Sequence, residues 1–229
     1  MARSLKAKAA LLTGVAFFFV LFTLLGAWQL QRRTWKHALI ERVEARVHAA
    51  PAATFAPDAE YTHVRLEGRF EPSSVRVQAN TVLGAGHWLL QPFTLLDGRQ
   101  VLVNRGFVPL GSTGAPASVG QQVVTGLLRL SEPKGSLLRT NEPVADRWFS
   151  RDVQAIGMHL GLTLQPFFVD QDEHGPKEAW PQGGLTVIHF ADNHLQYALT
   201  WFAMAALCLG AGYVVLRNDN RGHHHAADR

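Results

Sequence analysis

Cysteine occurs once in this 229-residue chain, at Cys208, and methionine only three times. A lone thiol excludes an intrachain disulfide. With no Cys-x-x-Cys or Cys-x-x-x-Cys pair, thiol exchange and thiolate-bound copper or zinc are excluded too. The scarcity of thioethers argues in the same direction against soft-metal delivery. Also missing are a Gly-x-Ser-x-Gly elbow, a phosphate-binding Gly-rich loop ending in Lys-Ser/Thr, and His-Glu-x-x-His. The chain therefore reads as a non-enzyme. No lipobox cysteine follows the first apolar run, so a lipoprotein reading has no support.

The net charge of +4 and pI of 9.6 raise nucleic-acid binding as a possibility, but the distribution of charge defeats it. From Pro51 to Asp192, acidic side chains outnumber Lys and Arg 14 to 11. The surplus positive charge lies in the tails and around residues 31–50, where it meets anionic lipid headgroups. No basic face interleaved with aromatics appears, and nucleic acid is not expected as a partner.

Two uncharged apolar runs bound the middle of the chain, residues 9–30 and 195–216. About 20 apolar residues in a helix cross a hydrocarbon core of roughly 30 Å. The first run competes with a cleaved signal peptide, but it exceeds the usual 7–15-residue signal core. The second competes with a buried core helix. We expect two spans. Arg3, Lys6 and Lys8 precede the first, and Arg217, Arg221 and Arg229 follow the second. The positive-inside rule then makes residues 1–8 and 217–229 cytoplasmic tails, although Arg32, Arg33 and Lys36 argue the other way. Eight residues ahead of the first span are too few for a mitochondrial transit peptide. The expectation is a bacterial inner membrane with the middle of the chain periplasmic.

Between the spans the periodicity changes twice. Trp35, Leu39, Val43 and Val47 recur every fourth residue, which predicts an amphipathic juxtamembrane helix over 31–50, into which the first span is expected to continue, with Trp28 and Trp35 as interfacial anchors. Residues 61–70 alternate, with Val64, Leu66 and Phe70 against His63, Arg65, Glu67 and Arg69, as a half-buried strand does. Further strands are expected at 75–82, 87–95, 100–109, 123–130, 167–170 and 185–190, with Asp97-Gly98 as a hairpin turn. A short helix over 153–160 would be capped by Asp152 or Ser150. The loop 111–120 is rich in Gly, Ser, Ala and Pro. The fold class is thus α+β: two terminal transmembrane helices flank an antiparallel, barrel-like extracytoplasmic domain over 51–194.

Four clusters carry candidate chemistry. His87, beside Trp88, and Arg105, beside Asn104, stand on neighbouring strands and could hold a carboxylate or a propionate, since arginine presents a bidentate fork. The simpler reading is that Arg105 pairs with an acid at a sheet edge, with Gly106 in a bulge. Arg147-Trp148-Phe149-Ser150-Arg151-Asp152 reads as core packing plus a helix cap. His223, His224 and His225 are either metal ligands or a solvated tail. His194 heads a helical face of Tyr197, Ala198, Trp201, Ala205 and Cys208. Its imidazole could ligate a haem iron with the porphyrin lying against Tyr197 and Trp201, or it is an interfacial histidine of the aromatic belt.

Three blocks carry a resemblance. Gly26-Ala27-Trp28-Gln29-Leu30-Gln31-Arg32-Arg33-Thr34-Trp35-Lys36 resembles the Gly-x-Trp-Gln-x-x-Arg-x-x-Trp-Lys signature of the surfeit locus protein 1 family. Gly86-His87-Trp88, with Val103-Asn104-Arg105-Gly106-Phe107-Val108-Pro109, is similar to its central block, and Asn193 to Phe202 to its C-terminal block. The resemblance implies assembly of haem-copper cytochrome c oxidase, with haem a as cofactor. It implies oxidase subunit I and the haem-a synthesis machinery as partners beside membrane lipids, and His194 as haem ligand. A scaffold that steadies an oxidase intermediate without binding haem is the alternative. Two departures stand out: Phe107 where many members have Trp, and Asp192 in place of the first Asn of an Asn-Asn-His run, a carboxylate expected to raise the basicity of His194.

Overall fold

Strand β1 (His63–Phe70) buries Val64 and Leu66 and exposes Arg65 and Glu67, as its alternation predicts. The structure is a computed structural model. It describes residues 2–227 apart from 113, 115, 117–119, 134–138, 177–178, 187–189 and 191, and only the backbone of residues 2–5 and 218–227. The chain divides into two units, Met1–Glu41 with His189–Arg229, and Arg42–Ile188.

In the second unit β1 is followed by β2 (Val75–Thr81), β3 (Gly84–Leu95), β4 (Gln100–Pro109), β5 (Gln122–Leu130), helix α2 (Val153–Leu160) and β6 (Leu164–Gln171). The strands lie in the order β1-β5-β6-β4-β3-β2, and a further pairing of β1 with β3 closes five of them into a barrel. Gly68 is where closure happens. It pairs with Gln122 of β5 and also with Leu95 of β3. A Cβ there would lie 2.1 Å from the Thr94 carbonyl oxygen, so any side chain would hold the two strands apart. Closure pairs the otherwise open edge of β1, while β2 extends the sheet beyond the barrel on β3. The sheet is mixed rather than antiparallel throughout, because β6 runs parallel to β4. A parallel neighbour needs a long crossover, and the chain supplies one through β5 and α2.

Two cores result. Val64, Leu66, Phe93, Val103, Leu128 and Phe167 fill the barrel. On its outer face Val75, Leu90, Leu102, Phe168 and Trp148 pack beneath Val153 and Ile156 of α2. Full burial contributes about 1.5–3 kcal/mol per large apolar side chain. Asp152 caps α2, its side chain accepting the Ala155 N–H at 3.1 Å. Ser150, the other capping candidate, instead lies buried beside Asn141. The Asp97-Gly98 hairpin joins β3 to β4 as expected. Leu185 and Thr186 belong to no strand, and 187–189 of the expected 185–190 strand lie outside the described residues.

Helix α1 runs unbroken over Ala2–Val47, so the apolar run continues into the amphipathic stretch as one helix, as expected. The cause is legible: from Ala27 to Ala50 there is neither Gly nor Pro to break it. Trp28 and Trp35 are exposed on it, and the Arg32 guanidinium lies 4.1 Å over the Trp35 ring. Helix α3 spans His194–Ala227. Each of the two helices contains a stretch long and apolar enough to cross a membrane. They pack through small residues: Ala198 and Ala205 are buried, Gly26 faces the Phe202 ring, and Phe22 stacks on Trp201 at 5.7 Å. Small side chains let helix backbones approach closely, which is how helices associate in lipid.

Candidate functional site

Gln29, Arg33 and His37 recur every fourth residue and so form one row along α1. Across from them stand Asp192 and His194 at the head of α3. His194 Nδ1 lies 2.8 Å from Gln29 Oε1. With a carbonyl oxygen as acceptor, Nδ1 carries the ring hydrogen, and Nε2 keeps its lone pair. Among the described residues Nε2 has no hydrogen-bond partner.

Asp192 organises the rest. Its Oδ1 accepts the His194 backbone N–H at 3.3 Å, and its Oδ2 meets His37 Nε2 at 2.5 Å. The His37 hydrogen bond, aided by the His194 amide, holds the Asp192 carboxyl below the usual carboxylate range. The carboxylate expected to raise the basicity of His194 thus lies near its ring as a charge, but the hydrogen bonds of Asp192 go to the His194 amide and His37 rather than to the ring. It fixes the helix start, and Gln29 takes the ring. Arg33 Nε is 3.9 Å from Asp192 Oδ2, buried, and without a hydrogen-bond acceptor.

The helical face below His194 divides. Tyr197 is exposed, whereas Ala198, Trp201 and Ala205 pack against α1. Farther down the helix pair an apolar groove of about 600 Å³ opens, lined by Gly14, Phe18, Phe22, Met204 and Cys208.

The central block of the barrel also divides. A bulge at Arg105–Gly106 shifts the β3–β4 register between Trp88 and Leu90. Trp88 and Asn104 face a polar cavity of about 170 Å³. His87 and Arg105 are not brought together. Arg105 is buried, donates to Gln91 Oε1 at 3.1 Å and lies over the Phe70 ring. Burial lowers its pKa. Burial, with the Arg76 charge, also lowers that of His87. Arg105 stands on β4, an inner strand rather than a sheet edge.

Sequence reasoning missed the group at the centre of that cavity. Asp170 is buried and accepts from Asn104 Nδ2 at 2.7 Å, Thr186 Oγ1 at 2.9 Å, Arg151 Nη1 at 3.1 Å and Arg129 Nη1 at 3.3 Å. Arg151 also grips Glu132, and Arg129 reaches Glu60. Burial opposes the charge on Arg151, but the Asp170 and Glu132 charges outweigh it and raise its pKa. The cations are answered by carboxylates, so this cluster cross-links β4, β5 and β6 rather than attracting an anion. An acid at the end of a strand, with arginines on two other segments, was its only trace in the sequence.

Among the described residues no three His, Cys, Asp or Glu side chains converge as a metal centre. The tail histidines His223, His224 and His225 have side chains outside the described residues. A porphyrin asks less of a protein than a bare metal ion does, since it brings its own four nitrogens and needs only an axial imidazole. His194, held through Nδ1 with Nε2 free, meets that requirement.

The comparisons with known proteins span all three blocks. The SURF1 family model matches residues 16–206. Surfeit locus protein 1 of Mus musculus is 31% identical over 209 residues, covering 80% of this chain and 68% of its own length. The Homo sapiens protein of that name is 31% identical over 210 residues, covering 80% and 69%. A SURF1-like protein of Monosiga brevicollis is 30% identical over 247 residues, covering 95% of this chain and 94% of itself. With its signature Gln29 hydrogen-bonded to its signature His194, this chain belongs to the SURF1 family.

Proposed function

We propose that this protein is a haem-a-binding assembly factor for haem-copper cytochrome c oxidase, a carrier rather than an enzyme. In this reading α1 and α3 cross a bacterial inner membrane, both tails are cytoplasmic and the barrel is periplasmic. Haem a passes from its synthesis machinery to oxidase subunit I by way of His194. The supporting observation is the His194–Gln29 hydrogen bond, which leaves Nε2 free to bind iron. Tyr197, exposed one turn below, offers a ring beside the porphyrin, while Trp201 serves the helix pair. The apolar groove between α1 and α3 offers surface for an isoprenoid tail, at roughly 0.8 kcal/mol per buried methylene.

The test is the optical spectrum of His194→Ala against wild type, purified at matched expression from haem-a-producing cells. The expected result is loss or displacement of the Soret band while the protein remains inserted and folded. An unchanged Soret band and haem content remove His194 from the ligand list. For topology, reporter fusions at Gly114 and in the C-terminal tail should give opposite signals; equal signals overturn the placement.

One observation favours the second reading, a scaffold that holds an oxidase intermediate without haem. Ala198, Trp201 and Ala205, which would form a flat bed for a porphyrin, are taken up by packing against α1. Under that reading His194→Ala changes no spectrum, yet lowers the amount of assembled oxidase.

A further inference from the structure

We propose that Arg33 is the anion-binding residue of the His194 site and takes a porphyrin propionate carboxylate. The inference rests on the haem reading above.

It begins from an unmet donor. Arg33 Nε is buried and has no hydrogen-bond acceptor. A buried N–H left so carries an unrecovered desolvation cost, which an arriving acceptor would recover. The nearest anion does not serve. Asp192 Oδ2 stands 3.9 Å away, beyond hydrogen-bond range, and already meets His37 at 2.5 Å, while Oδ1 takes the His194 amide. The Arg33 side chain is 39% exposed, so its guanidinium is open on one side to a ligand although Nε is covered.

Position then selects the ligand. Gln29, Arg33 and His37 form one row on α1, rising about 5.4 Å per turn. Gln29 grips the His194 ring and His37 grips Asp192, two residues before it. Arg33 stands between them, one turn from the group that orients the ring. A ligand bound through iron at Nε2 and carrying carboxylates on its edge would bring an acid within reach of this turn. A carboxylate is the partner that a guanidinium fork fits best. Local charge agrees: Arg32, Arg33 and Lys36 crowd this stretch of α1, which has no Asp or Glu between Gln29 and Ile40. Arg32 is stacked on Trp35, which leaves Arg33 as the arginine of this row that faces Asp192.

Titrating the full-length protein in detergent with haem a and with its dimethyl ester, whose propionates are masked, separates the two readings. Arg33→Gln should weaken binding of the free-acid haem by about tenfold or more, with the Soret position unchanged because the axial ligand remains. It should not weaken binding of the ester. Arg33→Lys, which keeps the charge but loses the fork, should fall between. Equal weakening for both haems, or none for either, overturns the assignment while leaving His194 as ligand. No Soret change with either haem in the wild type overturns the haem reading itself, and this inference with it.

Discussion

Gln29 Oε1 and His194 Nδ1 lie 2.8 Å apart although 165 positions separate them in the chain. The contact ties the first and last signature blocks through a single hydrogen bond and chooses the ring tautomer. A partner of this kind orients a ligating imidazole, and its loss commonly lowers metal affinity 10–100-fold. Gln29→Leu should therefore weaken haem binding in that range without preventing membrane insertion. Gln29→Glu, a stronger acceptor, should retain haem and lower the reduction potential of its iron. Haem titration and potentiometry of the two variants check this. Wild-type affinity and potential in both would show that the contact is packing alone.

Gly106 has φ +130° in the β4 bulge, and a Cβ there would stand 2.1 Å from the Gln182 carbonyl oxygen. That oxygen accepts the Phe107 N–H at 2.8 Å, and the Gln182 N–H donates back to the Phe107 carbonyl oxygen at 3.0 Å. Gly106→Ala combines left-handed strain, about 1–3 kcal/mol, with a backbone clash, so the two segments must separate. The expected outcome is a barrel destabilised by more than 2 kcal/mol, with the Phe107 and Gln182 amides losing hydrogen-exchange protection. Unaltered protection at both amides would falsify this account.

Strands and the helix at 153–160 were legible because each carries its own periodicity: alternation in β1, a capping Asp152 before α2. Both long apolar helices were legible from the length of their uncharged runs. The parallel pairing of β6 with β4 was not, since a strand's residues do not record the direction of its neighbour. The continuity of α1 was legible, because nothing between Ala27 and Ala50 breaks a helix where the uniformly apolar run gives way to the amphipathic one. His194 was legible as a residue, but its partner was not. The adjacent Asp192 suggested a carboxylate on the ring, and only the pairing of α1 with α3 brings Gln29 there instead. Asp170 stayed hidden because its four partners come from four separate segments.

Asp170 is the group whose loss the barrel should feel most. Removing one member of a buried charge cluster leaves the others uncompensated, at a typical cost of 3–5 kcal/mol. Arg129 retains Glu60 and Arg151 retains Glu132, so Asp170→Ala should fall near the low end, about 3 kcal/mol. Asp170→Asn preserves shape and one acceptor and should cost less. Denaturant unfolding of the full chain, followed through the buried Trp148, measures both. A cost below about 1 kcal/mol for the alanine variant would place the cluster among weak surface pairs.

His63 makes the barrel sensitive to pH. Its Nε2 lies 2.7 Å from Asp172 Oδ2 and its Nδ1 2.9 Å from the Ala49 carbonyl oxygen, so both nitrogens donate when the ring is charged. Burial opposes that charge, but the Asp172 hydrogen bond, the Ala49 carbonyl and the Asp172 charge outweigh it and raise the pKa above 6.5. A histidine whose folded pKa exceeds its unfolded value stabilises the fold fully below about 6.5, and the contribution is lost as pH rises through the folded pKa. His87, with its pKa lowered first by burial and then by Arg76, has the opposite slope, its contribution being lost as pH falls. The wild-type profile thus mixes two trends, and the difference between wild type and His63→Gln isolates one. That difference should be largest near pH 6 and shrink toward pH 8, with hydrogen exchange in β1 and at the end of β6 accelerating over the same interval. Parallel stability profiles for the two proteins would mean that the ring stays neutral and the Asp172 contact carries no charge.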